Sequence, residues 1–282
     1  MQQRNFNQVD VFTAQPYLGN PLAVVLDGSG LSDKEMQHFA HWTNLSETTF
    51  LVPPQDDSAD YRVRIFTPGA ELSFAGHPTL GSCHAWLEAG GKPRRSDFIV
   101  QECKVGLVKL RRDGRRLAFA APPLQRTAPS PAVLAQVAAA LGLKSSQVVA
   151  AQMLDNGTAW LGFLIDDAQA LLALSPDHLE LKHLGYKVGV AAIRADANAA
   201  GPHLEVRGFA APVGIVEDPV TGSLNASLAQ WLIGEGHMPQ RYVAAQGACL
   251  GRAGRVHVER DESGQVWIGG EAVTCIAGSV QL

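Results

Sequence analysis

Three side chains in this 282-residue chain stand where proton chemistry would need them. Glu47, in "NLSETTFLV", follows a helical pattern and heads an apolar strand; it is the only acidic residue between Glu35 and Asp56. A lone carboxylate buried there would lose the solvation of its charged form, and its pKa would rise. That suits a group that both takes and returns a proton near neutral pH. A solvent-facing residue on an edge strand is the competing reading. His77, in "FAGHPTLGS", has an ordinary pKa of about 6.5 and could shuttle protons or simply cap a helix. Asp218, in "VEDPVTGSL", directly precedes a proline and reads equally well as an N-cap.

Both of the last two stretches carry Pro-x-x-Gly-Ser at the mouth of a helical pattern. A helix N-terminus leaves backbone N–H groups without partners and holds roughly half a positive charge. Gly76 and Gly222 would let a ligand approach the backbone closely, and the Thr221 and Ser223 hydroxyls would add donors. Two such mouths make a cradle for a carboxylate or similar anion. The plainer alternative is a pair of helix starts whose glycines only permit close packing.

The elements that must position these groups come in duplicate. Val63-Arg64-x-Phe66 returns as Val206-Arg207-x-Phe209, Pro78 as Pro219 and Trp86-Leu87 as Trp231-Leu232, at offsets of 143, 141 and 145 residues. Gln101 and Gly106 match Gln246 and Gly251 at 145. The offsets fit two similar halves in tandem. In the first, "VDVF", "LAVVL", "TTFLVP" and "YRVRIF" read as strands. Ser32-x-x-Glu35 is a capping box opening a helix through about Trp42. The helix after Gly76-His77 stops at Gly90-Gly91, and its counterpart stops by Gly234 or Gly236. Pro- and Ala-rich sequence from about Ala120 to Pro131 separates the halves, followed by an amphipathic helix in "AVLAQVAAALGL". The expected organisation is α+β, with half-domains at 1–118 and 119–270 and the C-terminal strand 271–282 a candidate to complete the first.

Composition narrows the class. Hydrophobic residues make up 46% and the formal net charge is -4, as in an ordinary globular protein. No basic stripe suggests nucleic acid, and no apolar run suggests a membrane span. The four cysteines stand alone, which disfavours disulfides and structural zinc. The first residues lack an apolar signal region, so reduced thiols in the cytoplasm are expected. Gly-x-Gly-x-x-Gly, Walker A, His-Glu-x-x-His and Gly-x-Ser-x-Gly are all missing from the sequence.

Together "GNPLAVV" (Gly19 to Val25), "NLSETTF", "IFTPGAELSFAGHPTLGS" (Ile65 to Ser82), "VEDPVTGSL" and "QGACLGR" (Gln246 to Arg252) resemble the PhzF family of phenazine-biosynthesis-type isomerases. The resemblance spans essentially the whole chain. It implies the diaminopimelate epimerase-like fold: two pseudo-symmetric domains, each a β-barrel-like sheet around a central helix, with the active site between them. It also implies cofactor-free chemistry, in which a glutamate moves a proton between two carbons of a dihydro-hydroxyanthranilate ring. By motif that glutamate is Glu47. His77 and Asp218 would assist transfer or hold polar groups, with Gly76, Gly222 and Ser223 touching substrate and Asn20 helping. In the related epimerases each helix mouth carries a catalytic cysteine; here Ala75 and Pro219 are expected at those places, which excludes two-thiol racemisation. Leu224 and Asn225 stand where the family often has small residues and are expected to reshape the pocket. Ser73 and Ala253-Gly254 are further departures.

The expected protein is therefore a cytoplasmic, cofactor-independent isomerase of a small cyclic or unsaturated carboxylate. It is expected to be a homodimer without nucleic-acid or membrane partners. One rival keeps the fold but makes it a one-base epimerase of an amino or hydroxy acid. Another is a non-catalytic anion-binding or interaction module.

Overall fold

Runs of β-branched and aromatic residues bounded by turns become strands along the whole chain. Two helices buried over most of their length become the centres around which they pack. The computed structural model describes residues 1–195 and 201–282. They form two compact units, Met1–Ala120 with Gly269–Leu282 and Ala121–Ile268.

The first unit contains β1 (Gln3–Val11), β2 (Asn20–Val25), α1 (Asp33–Thr43), β3 (Thr48–Val52), β4 (Tyr61–Phe66), β5 (Glu71–Leu72), α2 (Gly76–Glu88), β6 (Ile99–Cys103), β7 (Gly106–Asp113) and β8 (Arg116–Ala120). The capping box of α1 is complete: Ser32 Oγ accepts from the Glu35 N–H, and Glu35 Oε2 accepts from the Ser32 N–H. Asn44, at φ +55°, closes the helix in the left-handed conformation that an asparagine tolerates. That reversal delivers the chain to Glu47. The second unit contains β9 (Gln125–Thr127), α3 (Pro131–Leu141), β10 (Val148–Asp155), β11 (Ala159–Ile165), α4 (Ala168–Leu172), α5 (His178–Leu184), β12 (Val188–Ile193), β13 (Leu204–Ala210), β14 (Ile215–Asp218), α6 (Gly222–Gly234), β15 (Arg241–Gln246), β16 (Gly254–Arg260) and the first three residues of β17 (Val266–Gly270). The chain ends in β18 (Ala272–Gln281), which returns to pair antiparallel with β1 in the first unit.

The duplication read from the sequence is a duplication of topology. In the first unit β1–β2 is antiparallel, β2–β3 parallel, β3–β4 antiparallel, β4–β6 parallel and β6–β7 antiparallel. The second repeats those senses through β10–β11, β11–β12, β12–β13, β13–β15 and β15–β16. A parallel pair needs a crossover. The crossover of β4 to β6 is α2, and that of β13 to β15 is α6. Each is buried over most of its length, including Leu80, Cys83 and Ala85 on α2 and Leu228, Trp231 and Leu232 on α6. The outer helices cover separate apolar clusters, α1 over Phe39, Phe50 and Phe66 and α3 to α5 over Phe163, Leu181 and Phe209. Among the described residues no helix is long and apolar enough to cross a membrane.

The structure corrects the register of the repeat. Helix α2 starts at Gly76 and α6 at Gly222, so Gly76-His77 corresponds to Gly222-Ser223. Pro78 is the third residue of its helix, whereas Pro219 lies outside, before the N-cap Thr221. The two Pro-x-x-Gly-Ser strings are therefore not equivalent turns: Gly81-Ser82 sits inside α2. The position matching Ala75 is Thr221 rather than Pro219.

The repeated Val-Arg-x-Phe has a clear job. Arg64 Nε donates to Glu71 Oε1 at 2.8 Å, tying β5 to β4. Arg207 makes a two-pronged pair with Glu217, at 2.9 and 2.8 Å, tying β14 to β13. Each arginine also stacks on the phenylalanine two residues on, at 5.1 and 5.0 Å. Each short strand so fixed leads directly to a helix mouth. Arg64 holds the Glu71 carboxyl below its ordinary value of 4.5. A depressed folded pKa stabilises above the unfolded value and ceases to as pH falls through the folded one. The stability gap between the protein and Glu71→Gln should thus be full above about pH 4.5 and shrink below it. Urea titrations at stepped pH would show this; a gap independent of pH would refute it.

Candidate functional site

The sequence-predicted residues divide between the two units, and each group is built separately. In the first unit, Asp10 Oδ2 accepts the Gly19 N–H at 2.9 Å and fixes the chain where it turns into β2. A Cβ at Gly19 would stand 2.1 Å from the Val11 carbonyl oxygen, so no other residue fits. The next residue, Asn20, is buried at the head of β2. Glu47 lies just before β3, whose Thr48 pairs with Ala23 of β2. Helix α2 is locked to both strands by hydroxyls, because Ser82 Oγ donates to Thr49 Oγ1 at 2.9 Å and Thr49 Oγ1 donates to the Ala23 carbonyl at 3.3 Å. The three elements that carry Asn20, Glu47 and His77 are thereby held in one register.

The outcome is a carboxylate beside an imidazole. Glu47 Oε2 stands 3.5 Å from His77 Nε2, with side-chain exposures of 15% and 6%. Glu47 is thus partly desolvated rather than a solvent-facing edge residue, and His77 is the second residue of α2 rather than its cap. The N-cap is Ala75, whose side chain caps nothing, so the first N–H groups of α2 are not consumed by a cap residue.

In the second unit, Asp218 ends β14 and is not the N-cap of α6; Thr221 is. The Thr221 hydroxyl donates to Asp218 Oδ2 at 2.6 Å, so its one proton is committed to that carboxylate rather than offered as a further donor. Ser223 Oγ accepts from Trp160 Nε1 at 3.2 Å, and Asn156 donates to the Ser223 carbonyl at 3.0 Å. The serine hydroxyl proton is not spent on the tryptophan contact. Gly222 opens the helix between Thr221 and Ser223. Leu224 is fully buried, and a Cβ on Gly189 would lie 2.2 Å from its Cδ1. A glycine in the facing strand made the room.

Neither helix mouth bears a thiol, since Ala75 and Thr221 hold those positions. Burial pushes the Cys83 thiol, inside α2, up to about 12, and raises Cys103, Cys249 and Cys275 as well. None is a ready thiolate for proton abstraction. Sequence reasoning missed Gln246, which donates to the Asp218 carbonyl and to Thr221 Oγ1 at 3.0 and 2.9 Å. It also missed Trp160 and Asn156. The repeat had marked Gln246, but no one-dimensional signal pointed to the other two.

The chain is similar to known proteins over most of its length. A family model described as PhzC-PhzF, phenazine biosynthesis-like protein, matches residues 9–278. Antisense-enhancing sequence 1 of Schizosaccharomyces pombe is 37% identical over 99% of both chains. Trans-2,3-dihydro-3-hydroxyanthranilate isomerase of Pseudomonas aeruginosa is 36% identical, over 91% of this chain and 90% of that one. Among solved structures, a PhzF-family phenazine biosynthesis protein of Bacillus anthracis superposes with a TM-score of 0.85 at 24% identity, with all of both chains covered.

Proposed function

Because the chain belongs to the PhzC-PhzF family of phenazine biosynthesis-like proteins, whose curated relatives include isomerases, we propose that it moves a proton between two carbons of a small unsaturated carboxylate by glutamate acid–base catalysis. The observation that carries this reading is the partly desolvated Glu47 carboxylate, 3.5 Å from His77 at the mouth of α2. Glu47 takes a proton from an allylic C–H, and the electron pair left behind spreads into the adjoining unsaturated system. The protonated Glu47, whose carboxyl proton exchanges with solvent, then delivers a proton to another carbon of the same system. Nothing is oxidised or reduced, so the cycle closes without a cofactor.

The remaining residues hold and polarise. N–H groups at a helix mouth suit a substrate carboxylate, at α2 with Gly76 and at α6 with Gly222 and the Ser223 hydroxyl. His77 and Asp218 hold its other polar groups or assist the transfer, and Asn20 orients it. Trans-2,3-dihydro-3-hydroxyanthranilate, the compound named in the isomerase relatives, is the first substrate to test.

Incubation with that compound in D₂O, followed by proton NMR, tests the reading directly. Deuterium should enter at carbon while a double bond moves. Inversion at a centre with no migration would favour one-base epimerisation instead. Binding without any exchange at carbon, from this compound and from related small carboxylates, would sink the catalytic reading and leave an anion-binding module.

A further inference from the structure

The repeat that marked Gln101 and Gln246 has a counterpart in the hydrogen bonds, and the two halves use it differently. Both glutamines are buried, on β6 and β15. Both face the fourth residue of their unit's central helix, Thr79 in α2 and Asn225 in α6. Thr79 Oγ1 donates to the carbonyl of the N-cap Ala75 at 2.9 Å, and Gln101 Nε2 donates to Thr79 Oγ1 at 3.1 Å. Asn225 Nδ2 donates to the carbonyl of the N-cap Thr221 at 2.9 Å and to Gln246 Oε1 at 2.8 Å. In each unit, then, one polar helix side chain clips the helix mouth to a strand glutamine.

The difference lies in what pairs beside the glutamine. Gln101 stands in register with Tyr61, whose hydroxyl donates to Gln101 Oε1 at 3.0 Å. Gln246 stands in register with Val206, which offers no hydroxyl. Its Oε1 instead accepts the Thr221 N–H at 3.0 Å, and its Nε2 donates to Thr221 Oγ1 and to the Asp218 carbonyl. The bonds run head to tail, amide to hydroxyl to carboxylate, so each polarises the next. The arrangement leaves Asn225 Oδ1 buried without a hydrogen bond among the described residues. A buried acceptor left unmet is a departure from what stability alone selects.

We propose that Gln246 is a positioning residue of the active site: acting through Thr221, it fixes the Asp218 carboxylate for substrate, whereas its counterpart Gln101 serves only to hold α2. This rests on the reading of Asp218 as a substrate-facing carboxylate.

Kinetics with trans-2,3-dihydro-3-hydroxyanthranilate and amide hydrogen exchange on the free protein test it together. Gln246→Met and Thr221→Val should each lower kcat/KM at least tenfold. The double variant should be no worse than the poorer single, because the two act in series. Thr221→Ser, which keeps the hydroxyl, should restore activity to near the original. Gln101→Met should lower the melting temperature with kcat/KM within about threefold. Exchange at the Thr221 amide should speed at least tenfold in Gln246→Met and stay unchanged in Gln101→Met. Gln246→Glu, which keeps the acceptor for that amide, covers the case in which the methionine variant fails to fold; it should protect the amide yet lose activity. Losses that multiply in the double variant, a Gln101→Met as damaging to kcat/KM as Gln246→Met, or an unchanged Thr221 amide would each overturn the proposal. A fully active Gln246→Met beside an impaired Asp218→Asn overturns it alone. A fully active Asp218→Asn overturns the role of Asp218 and the proposal with it.

Discussion

Glu47→Gln should lower the rate of proton transfer at carbon by about 10²- to 10⁴-fold, the range that a positioned acid–base group contributes, while leaving the fold intact. The substitution is nearly isosteric, and it removes the proton-carrying group together with its negative charge. The side chain is 15% exposed, so an amide there loses little solvation that the carboxylate had kept. Substrate binding should change far less than turnover, because the helix mouths and Asn20 are untouched. Glu47→Asp should fall between, since withdrawing the carboxylate by one methylene opens the 3.5 Å contact with His77 and misplaces it by the ångström or so that costs roughly 10²-fold. Single-turnover deuterium incorporation on all three proteins, with melting curves alongside, would settle it. A Glu47→Gln protein that exchanges carbon-bound protons at the original rate would remove Glu47 from the mechanism.

How these groups could be read from sequence, and where the reading stopped, follows from the range of the forces involved. Ser32-x-x-Glu35 is a local device and formed as written. Strand segments such as "YRVRIF" declared themselves by alternation, since burial on one face repeats every second residue. Asp218 failed as an N-cap because capping competes with other partners for the same carboxylate. Two residues of chain separate it from Thr221, which takes the cap position and turns its hydroxyl back onto Asp218. The register of the repeat failed for a related reason. Proline and glycine recur for many purposes, whereas the residue that opens each helix is decided by the strand before it, and those strands are set by Arg64 with Glu71 and Arg207 with Glu217. Gln246 lies 25 residues from Thr221 in sequence, and only the parallel pairing of β13 with β15 brings them together. The room for Leu224 came from Gly189, on a strand whose pairing no local pattern specifies.

Glu217→Leu should destabilise the second unit by about 3–5 kcal/mol, the usual cost of leaving one member of a buried ion pair uncompensated. Both side chains are 7% exposed, and Arg207 also donates to the Leu171 and Leu174 carbonyls at 3.2 and 2.7 Å, so it cannot swing out to water without losing those bonds. The matching pair in the first unit, Arg64 with Glu71, is 19% and 21% exposed, and its loss should cost less because water rehydrates the survivor. Burial, not the presence of an ion pair, decides the difference. Replacing both partners, Arg207→Met with Glu217→Leu, should recover most of the lost stability, since apolar residues of similar volume can replace a buried pair at little net cost. Activity should follow a different rule. Strand β14 ends at Asp218, one residue beyond Glu217, and the ion pair is what orients that strand against β13. The double variant should therefore regain its urea midpoint yet remain slower in proton transfer, whereas Glu217→Gln, which keeps one acceptor for Arg207, should keep more activity than it keeps stability. If Glu217→Leu costs less than about 1 kcal/mol, as an exposed pair would, the ion pair is not what holds β14. If the double variant recovers activity in step with stability, packing alone places Asp218.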